Sequence, residues 1–259
     1  DASGGRVLVG EIYLPVEELM AYYGPADDEV QLPANFQLLR MPRRAETLAK
    51  AIARYEASLP PAAWPNWVLG NHDTPRVASR LGALQARVAA VLLLTLRGTP
   101  TIYYGDEIGM TDVPVPPELA QDPWERNEPG RGLGRDPERS PMQWDAGPNA
   151  GFSDARPWLP VGSAFRTANV AAQRDDPDSM LGLHRTLLAL RRAEPAFTLG
   201  RIDVLPSGRG VLAYVRSFAG RRFLVALNLT AVARGCALRT GTAQARVRCS
   251  TLAEAPHTI

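Results

Sequence analysis

Four short, mostly apolar runs alternate with helical patterns in this sequence, and the alternation restricts the fold more than any other feature. The runs are rich in β-branched, aromatic and leucine residues and lie at 7–9, 35–39, 67–69 and 99–105. Helical patterns lie at 17–23, 43–58 and 80–96. Strands that are apolar along their whole length are typical of parallel sheets covered by helices on both faces. The sequence therefore predicts an α/β fold built on a parallel sheet.

Polar residues directly follow two of these predicted strands. Glu11 follows the first, and Asn-His-Asp at 71–73 follows the third. Parallel α/β folds place their chemistry at the carboxyl ends of the strands. Glu11 and Asp73 are therefore candidates for the carboxyl pair of glycoside hydrolysis, in which one group donates a proton and another stays ionised. On spacing alone, surface carboxylates at loop starts and an ordinary Asx turn remain the simpler alternatives.

The second half of the sequence changes character twice. Residues 108–166 are dense in Pro, Gly and Asp and predict a long irregular loop. This loop is expected to be ordered, because it contains Trp124, Trp144 and Trp158 and disordered segments are poor in aromatic residues. A helix is predicted at 178–193, and short strands at 211–217, 222–229 and 247–250 predict an all-β module. We expect one domain at 1–195, with the loop at about 106–166, and a β-rich domain at 196–259, whose completeness the sequence leaves open.

The composition excludes several classes of protein. Hydrophobic residues make up 45% and charged residues 22% of the 259 residues, and the net charge is +2. These values are typical of a globular protein and give no reason to expect a nucleic acid or membrane partner. The longest apolar run, 88–96, is too short to span a bilayer. With only Cys236 and Cys249 and no signal-peptide pattern, we expect free thiols and a cytoplasmic location.

Four motifs in order make the sequence resemble the α-amylase superfamily, and within it the α-glucosidase and oligo-1,6-glucosidase branch. They are Gly-Glu at 10–11, Asn-His-Asp at 71–73, Gly-Thr-Pro-Thr-Ile-Tyr-Tyr-Gly-Asp-Glu at 98–107, and Arg-Ser-Pro-Met-Gln-Trp-Asp at 139–145 with Asn-Ala-Gly-Phe from 149. The resemblance implies the second half of a TIM (β/α)8 barrel, beginning just before the fifth strand, followed by an all-β C-terminal domain.

The resemblance also implies roles for individual residues. Glu11 would be the general acid/base, and Asp73 the carboxylate that stabilises the transition state and grips sugar hydroxyls. His72, Arg76 and Arg139 would bind the substrate, although a surface arginine in a polar loop stays open for Arg139. Neither a cofactor nor a metal ligand is implied by these motifs. The nucleophile of the family, an Asp in a Gly-Phe-Arg-x-Asp type motif, does not occur, so we expect these 259 residues alone to be inactive.

The expected function is that of a retaining α-glucosidase that releases terminal α-linked glucose from oligosaccharides. One alternative is a glucosyl-transferring or isomerising relative, similar to trehalose synthase. Another is a non-catalytic barrel subunit similar to the heavy chains of amino-acid transporters, which tend to lose catalytic residues. The sequence leaves open the linkage preference, the oligomeric state and any metal site beyond these residues.

Overall fold

Four parallel strands form one sheet in the computed structural model, which describes residues 5–24, 29–40, 44–238 and 245–252. The strands are β1 (Val9–Gly10), β2 (Leu32–Asn35), β3 (Asn66–Val68) and β4 (Thr99–Thr101). They are hydrogen-bonded in the order β1-β2-β3-β4, and every pair is parallel. Neighbours in the chain are thus neighbours in the sheet, which is the strand order of a (β/α)8 barrel.

The chain divides into two compact units. The first unit consists of Asp1–Leu69, Val91–Thr101 and Ala189–Ala245, and it contains the parallel sheet and a second, antiparallel sheet. The second unit consists of Gly70–Ala90, Ile102–Leu188 and Arg246–Ile259. The predicted domain boundary between residues 195 and 196 stays a prediction.

The helices broadly follow the predicted pattern. They are α1 (Val16–Met20), α2 (Gln37–Arg40), α3 (Ala45–Ser58), α4 (Val77–Leu81), α5 (Ala83–Thr95), α6 (Pro123–Asn127), α7 (Val170–Gln173), α8 (Met180–Ala193) and α9 (Pro195–Thr198). The single helix predicted at 80–96 is wrong in one respect: it consists of α4 and α5. Gly82 lies between them with φ of 76°, a left-handed conformation that a glycine adopts without strain.

The strand predicted at 35–39 is wrong, because the chain turns into α2 after β2 ends. The side chain of Asn35 accepts a hydrogen bond from the backbone N–H of Gln37 at 3.0 Å, as in an Asx turn that starts a helix. The apolar residues in this stretch are nevertheless buried: Phe36 and Leu39 pack with Val68 in one core cluster. The hydrophobic signal was therefore one of burial and not of extended backbone.

The antiparallel sheet has the order β5-β6-β7, formed by Arg201–Leu205, Val211–Phe218 and Arg221–Asn228. The two predicted strands at 211–217 and 222–229 match β6 and β7, whereas β5 was not predicted. The strand predicted at 247–250 is wrong, because these residues are irregular and no described strand pairs with them. Their alternating burial resembles a strand, but a strand also needs a partner for its backbone groups.

The predicted long loop lies in the second unit and is ordered by short helical turns and a small core. Ile108, Met110 and Met142 are buried together, and Val170 and Leu181 pack against them. These contacts bring the start of the segment, its middle and helix α8 together. The loop is therefore a packed part of the second unit, as its aromatic residues predicted.

Two buried arginines hold the C-terminal end of α5 inside the first unit. The guanidinium of Arg216 on β6 is 0% exposed and donates to the carbonyl oxygens of Thr95, Phe197 (3.0 Å) and Gly200 (2.8 Å). Arg191 donates in the same way to three carbonyls that follow α5 or lie in its last turn, those of Leu94, Leu96 and Gly98. Helix ends leave such carbonyls without intrahelical partners. Burial lowers the pKa of Arg216 to about 10.

We expect Arg216→Lys to lower the free energy of unfolding by about 2 kcal/mol or more, because a single ammonium group cannot reach the carbonyls that the guanidinium serves. Urea denaturation would measure the loss. The matched control is Arg222→Lys on β7, an exposed arginine, which we expect to change stability by less than about 0.5 kcal/mol. Equal effects of the two substitutions would contradict this account.

Candidate active site

The polar cluster after β3 is shaped by a glycine and a tight turn. A Cβ atom at Gly70 would lie 2.7 Å from Oδ2 of Asp106, so no side chain fits there without a shift of that carboxyl group. The side chain of Asn71 then accepts a hydrogen bond from the backbone N–H of Asp73 at 3.2 Å. The Asx turn that the sequence left open is therefore present. It is also the turn that presents Asp73.

The carboxylate of Asp73 is held by two arginines. Nη2 of Arg139 and Nη1 of Arg135 each donate to Oδ1 of Asp73 at 2.9 Å. Nε2 of His72 lies 3.4 Å from the same oxygen. The side chain of Asp73 is 27% exposed, and these three contacts all involve Oδ1. One carboxylate oxygen is thus fixed by the protein while the side chain stays partly exposed.

Arg139 forms hydrogen bonds with both His72 and Asp73. Its Nε donates to the backbone carbonyl of His72 at 2.9 Å, while its Nη2 holds Asp73. The imidazole of His72 remains about half exposed, with a side-chain exposure of 53%. The structure therefore brings His72, Asp73 and Arg139 together. Direct sugar binding by His72 and Arg139 stays a prediction.

Arg76 lies in the protein interior. It is 0% exposed, its backbone N–H donates to Asp112 at 2.8 Å, and its Nη1 donates to the carbonyl of Tyr104 at 2.6 Å. Its guanidinium also stacks on the rings of Tyr103 and Tyr104, at 5.0 and 4.6 Å from their centroids. The described hydrogen bonds and ion pairs of Asp73 and Arg139 do not involve Arg76. Its predicted role in substrate binding stays a prediction.

Glu11 belongs to the first unit. It follows β1 directly, as predicted, and its side chain is exposed. An exposed carboxyl group at the carboxyl end of a parallel strand is available to a ligand. Its role as general acid/base stays a prediction.

Sequence reasoning missed Arg135 and the buried carboxylates behind it. Asp122 is 2% exposed and accepts hydrogen bonds from the backbone N–H (2.8 Å), Nε (2.7 Å) and Nη2 (3.2 Å) of Arg135. Asp136 in turn accepts from the backbone N–H groups of Gln121 and Asp122, at 2.6 and 2.9 Å. The hydrogen bonds from Arg135 hold the pKa of Asp122 far below its usual range. The sequence signal for this part of the site was Asp-Pro at 122–123, a pair typical of a helix start, which predicts a structural role for Asp122.

Two further carboxyl groups are buried in the second unit. Burial raises the pKa of Asp106 and that of Glu138 to about 7 each. Oδ1 of Asp106 has no hydrogen-bond partner among the described residues. The positive charge of nearby Arg76 lowers the pKa of Asp106 and so partly opposes the effect of burial. A buried carboxyl group of this kind is more easily kept neutral than ionised.

The described residues contain neither a cluster suited to a metal ion nor a helix that could cross a membrane. No group of three or more His, Cys, Asp and Glu side chains within them is arranged to hold a metal ion. None of the helices in the described part of the chain is long and apolar enough to cross a membrane. Cys236 and Cys249 are both free thiols.

Comparison with known proteins gives matches over most of this chain. The model of the alpha-amylase catalytic domain family matches residues 2–200. A salivary alpha-glucosidase of Anopheles gambiae is 39% identical over 236 residues, which are 86% of this chain and 39% of that enzyme. An amino acid transporter heavy chain of Rattus norvegicus is 36% identical, over 82% of this chain and 30% of its own length.

A solved structure agrees with the fold. The trehalulose synthase MutB of Pseudomonas mesoacidophila superposes with a TM-score of 0.85 at 29% identity, over 98% of this chain and 53% of the enzyme. Together with the parallel and antiparallel sheets, this confirms the predicted fold class, a partial TIM barrel followed by a β-rich part. The chain spans well under two thirds of the length of each of these proteins.

We expect the free energy of unfolding of the wild type to fall as the pH rises through about 7, and we expect Asp106→Asn to abolish this fall. The pKa of Asp106 is raised from 3.8 to about 7, so the folded protein holds this proton more tightly than the unfolded chain does. Its contribution is therefore fully present below about pH 4 and is lost as the pH rises through about 7. The free energy of unfolding of the variant relative to wild type should rise by about 1–3 kcal/mol between about pH 5 and pH 8.

Denaturant unfolding at several pH values would measure this difference. Asp175→Asn, which changes an exposed carboxyl group of the same unit, is the matched control. A stability difference between Asp106→Asn and wild type that stays constant with pH would show that Asp106 does not titrate in this range.

Proposed function

We propose that this chain, which belongs to the α-amylase catalytic domain family, is the part of a retaining α-glucosidase that carries the acid/base and the transition-state-stabilising carboxylate. The substrate would be an oligosaccharide with a terminal α-linked glucose. The observation that carries the proposal is the partly exposed Asp73 carboxylate, whose Oδ1 is fixed by Arg135 and Arg139. Oδ2 would face the ligand. Such a group accepts hydrogen bonds from neutral sugar hydroxyls without moving.

The chemistry of glycoside hydrolysis fits this arrangement. The transition state resembles an oxocarbenium ion, so a fixed carboxylate beside the sugar stabilises the positive charge that develops there. His72, half exposed next to Asp73, would add a hydrogen bond to the same sugar. Preorganised groups of this kind need no rearrangement when the charge appears, which is the source of their catalytic effect.

Glu11 would perform the proton transfers. It would first protonate the leaving oxygen and then deprotonate the water that releases glucose, as the resemblance implies. The covalent step requires a nucleophilic carboxylate, and the family motif that supplies it does not occur in these 259 residues. The complete double displacement would therefore use an Asp from outside this sequence.

Glucosyl transfer or isomerisation is the second candidate function. It is favoured by the superposition on a trehalulose synthase, an enzyme whose name denotes the synthesis of a disaccharide. The same carboxylates would serve both reactions, because only the acceptor of the glucosyl group differs. The match to a transporter heavy chain also allows a non-catalytic subunit, but Glu11, His72 and Asp73 are all present here. The linkage preference stays open. The cytoplasmic location stays a prediction, and one relative is named a salivary enzyme.

We expect Asp73→Asn and Glu11→Gln each to lower kcat/KM for maltose by about 10³-fold or more in the protein as it is encoded, with any sequence that flanks these residues. The loss follows because each substitution removes the charge or the proton that the mechanism needs. Glucose release measured at steady state, with analysis of all sugar products, would separate hydrolysis from transfer.

The control for this experiment is Asp175→Asn, an exposed carboxyl group for which we expect unchanged kinetics. Hydrolysis of maltose that survives both Asp73→Asn and Glu11→Gln would refute the assignment. A product mixture dominated by a new disaccharide would favour the transferring alternative.

A further inference from the structure

Arg135 links the exposed carboxylate of Asp73 to the buried carboxylate of Asp122. We propose that Arg135 is a positioning residue, which holds Asp73 in the orientation that grips the sugar, and that Asp122 anchors Arg135. This inference rests on the proposed function and deepens it. It assigns a role to two residues that lie outside the motifs by which the chain was interpreted.

The hydrogen bonds of Arg135 divide its guanidinium between the two carboxylates. Nε and Nη2 form the side-on pair with Asp122, at 2.7 and 3.2 Å. Nη1 is directed to Oδ1 of Asp73 at 2.9 Å. The pair with Asp122 would be complete without Nη1, so the contact with Asp73 is not needed to satisfy the buried charge. A planar guanidinium makes both contacts with N–H groups on three separate nitrogens, whereas the three N–H groups of an ammonium radiate from one nitrogen, which would have to reach both carboxylates itself.

The anchor itself is rigid. Asp122 also accepts the backbone N–H groups of Arg135 and Trp124, at 2.8 and 3.1 Å, and is buried among them. The indole of Trp124 covers the guanidinium at 4.9 Å from its ring centroid. Asp136 fixes the backbone of Asp122 through a hydrogen bond of 2.9 Å. Arg135 therefore loses little further rotamer freedom when it holds Asp73.

The charges explain why an anchor is needed. Two cations on Oδ1 of Asp73 would outweigh its single negative charge and weaken its attraction for a developing positive charge. The charge of Asp122 offsets that of Arg135, so Asp73, Asp122, Arg135 and Arg139 sum to zero. Asp73 thus gains two positioning hydrogen bonds while the charges of these four side chains cancel.

A double-mutant cycle tests the coupling of Arg135 to Asp73. Glucose affinity and kcat/KM for maltose would be measured for wild type, Arg135→Lys, Asp73→Asn and the double variant, in the protein as it is encoded. We expect Arg135→Lys to lower both by about tenfold in the wild type and by less than about twofold when Asp73 is already Asn. Asp122→Asn should act in the same direction as Arg135→Lys, through the loosened anchor.

The control is Arg131→Lys, which changes an exposed arginine of the same segment whose described ion pair is with Glu128. Equal losses from Arg135→Lys in both backgrounds would show a merely structural role and overturn the inference, as would no loss in either. Thermal unfolding of each variant would separate loss of fold from loss of positioning, and Asp122→Asn keeps the test available if Arg135→Lys does not fold.

A wild-type protein that binds glucose but does not hydrolyse maltose would refute the proposed function, while the affinity cycle would still decide the role of Arg135. Wild type that binds no glucose would overturn both.

Discussion

Buried charges that must find partners are the constraint on which both units depend. Removing an ion from water is costly unless hydrogen bonds replace its hydration. In the second unit Asp122 meets this requirement with Arg135 and with backbone N–H groups, and the same bonds shape the long segment around it. In the first unit Arg216 meets it with backbone carbonyls at the end of α5 and around α9. In each case one ionic side chain fixes backbone that has little regular structure of its own.

The long segment after β4 is part of the candidate site. It supplies Arg135 and Arg139, which approach Asp73 from 62 and 66 residues further along the chain. A parallel sheet places residues at its strand ends, but it does not orient a carboxylate that sits on a turn after the strand. The orientation of Asp73 comes from the segment, so a change in the packing of that segment would reach the chemistry without touching a motif residue.

Sequence patterns predicted the elements whose signal is local and missed the contacts whose signal is not. The apolar runs predicted the parallel sheet, and the motifs predicted that His72, Asp73 and Arg139 belong together. The strand expected at 35–39 failed because burial of Phe36 and Leu39 is compatible with a helix as well as with a strand. Arg135 was missed because its role depends on a buried partner, Asp122, and burial of a polar residue leaves no periodic trace in a sequence.

The neutrality of the Asp73 cluster bears on the kind of ligand it suits. A site with a net charge attracts ions of the opposite sign over about a Debye length and would favour charged substrates. The two carboxylates and two guanidiniums here cancel, so under the proposed function recognition would come from hydrogen-bond geometry at Asp73 and His72. A neutral, hydroxyl-rich molecule such as a sugar meets that condition. Because discrimination by fixed hydrogen bonds depends on how well they are held, specificity under the proposed function would rest on the anchoring of Asp73 as much as on Asp73 itself.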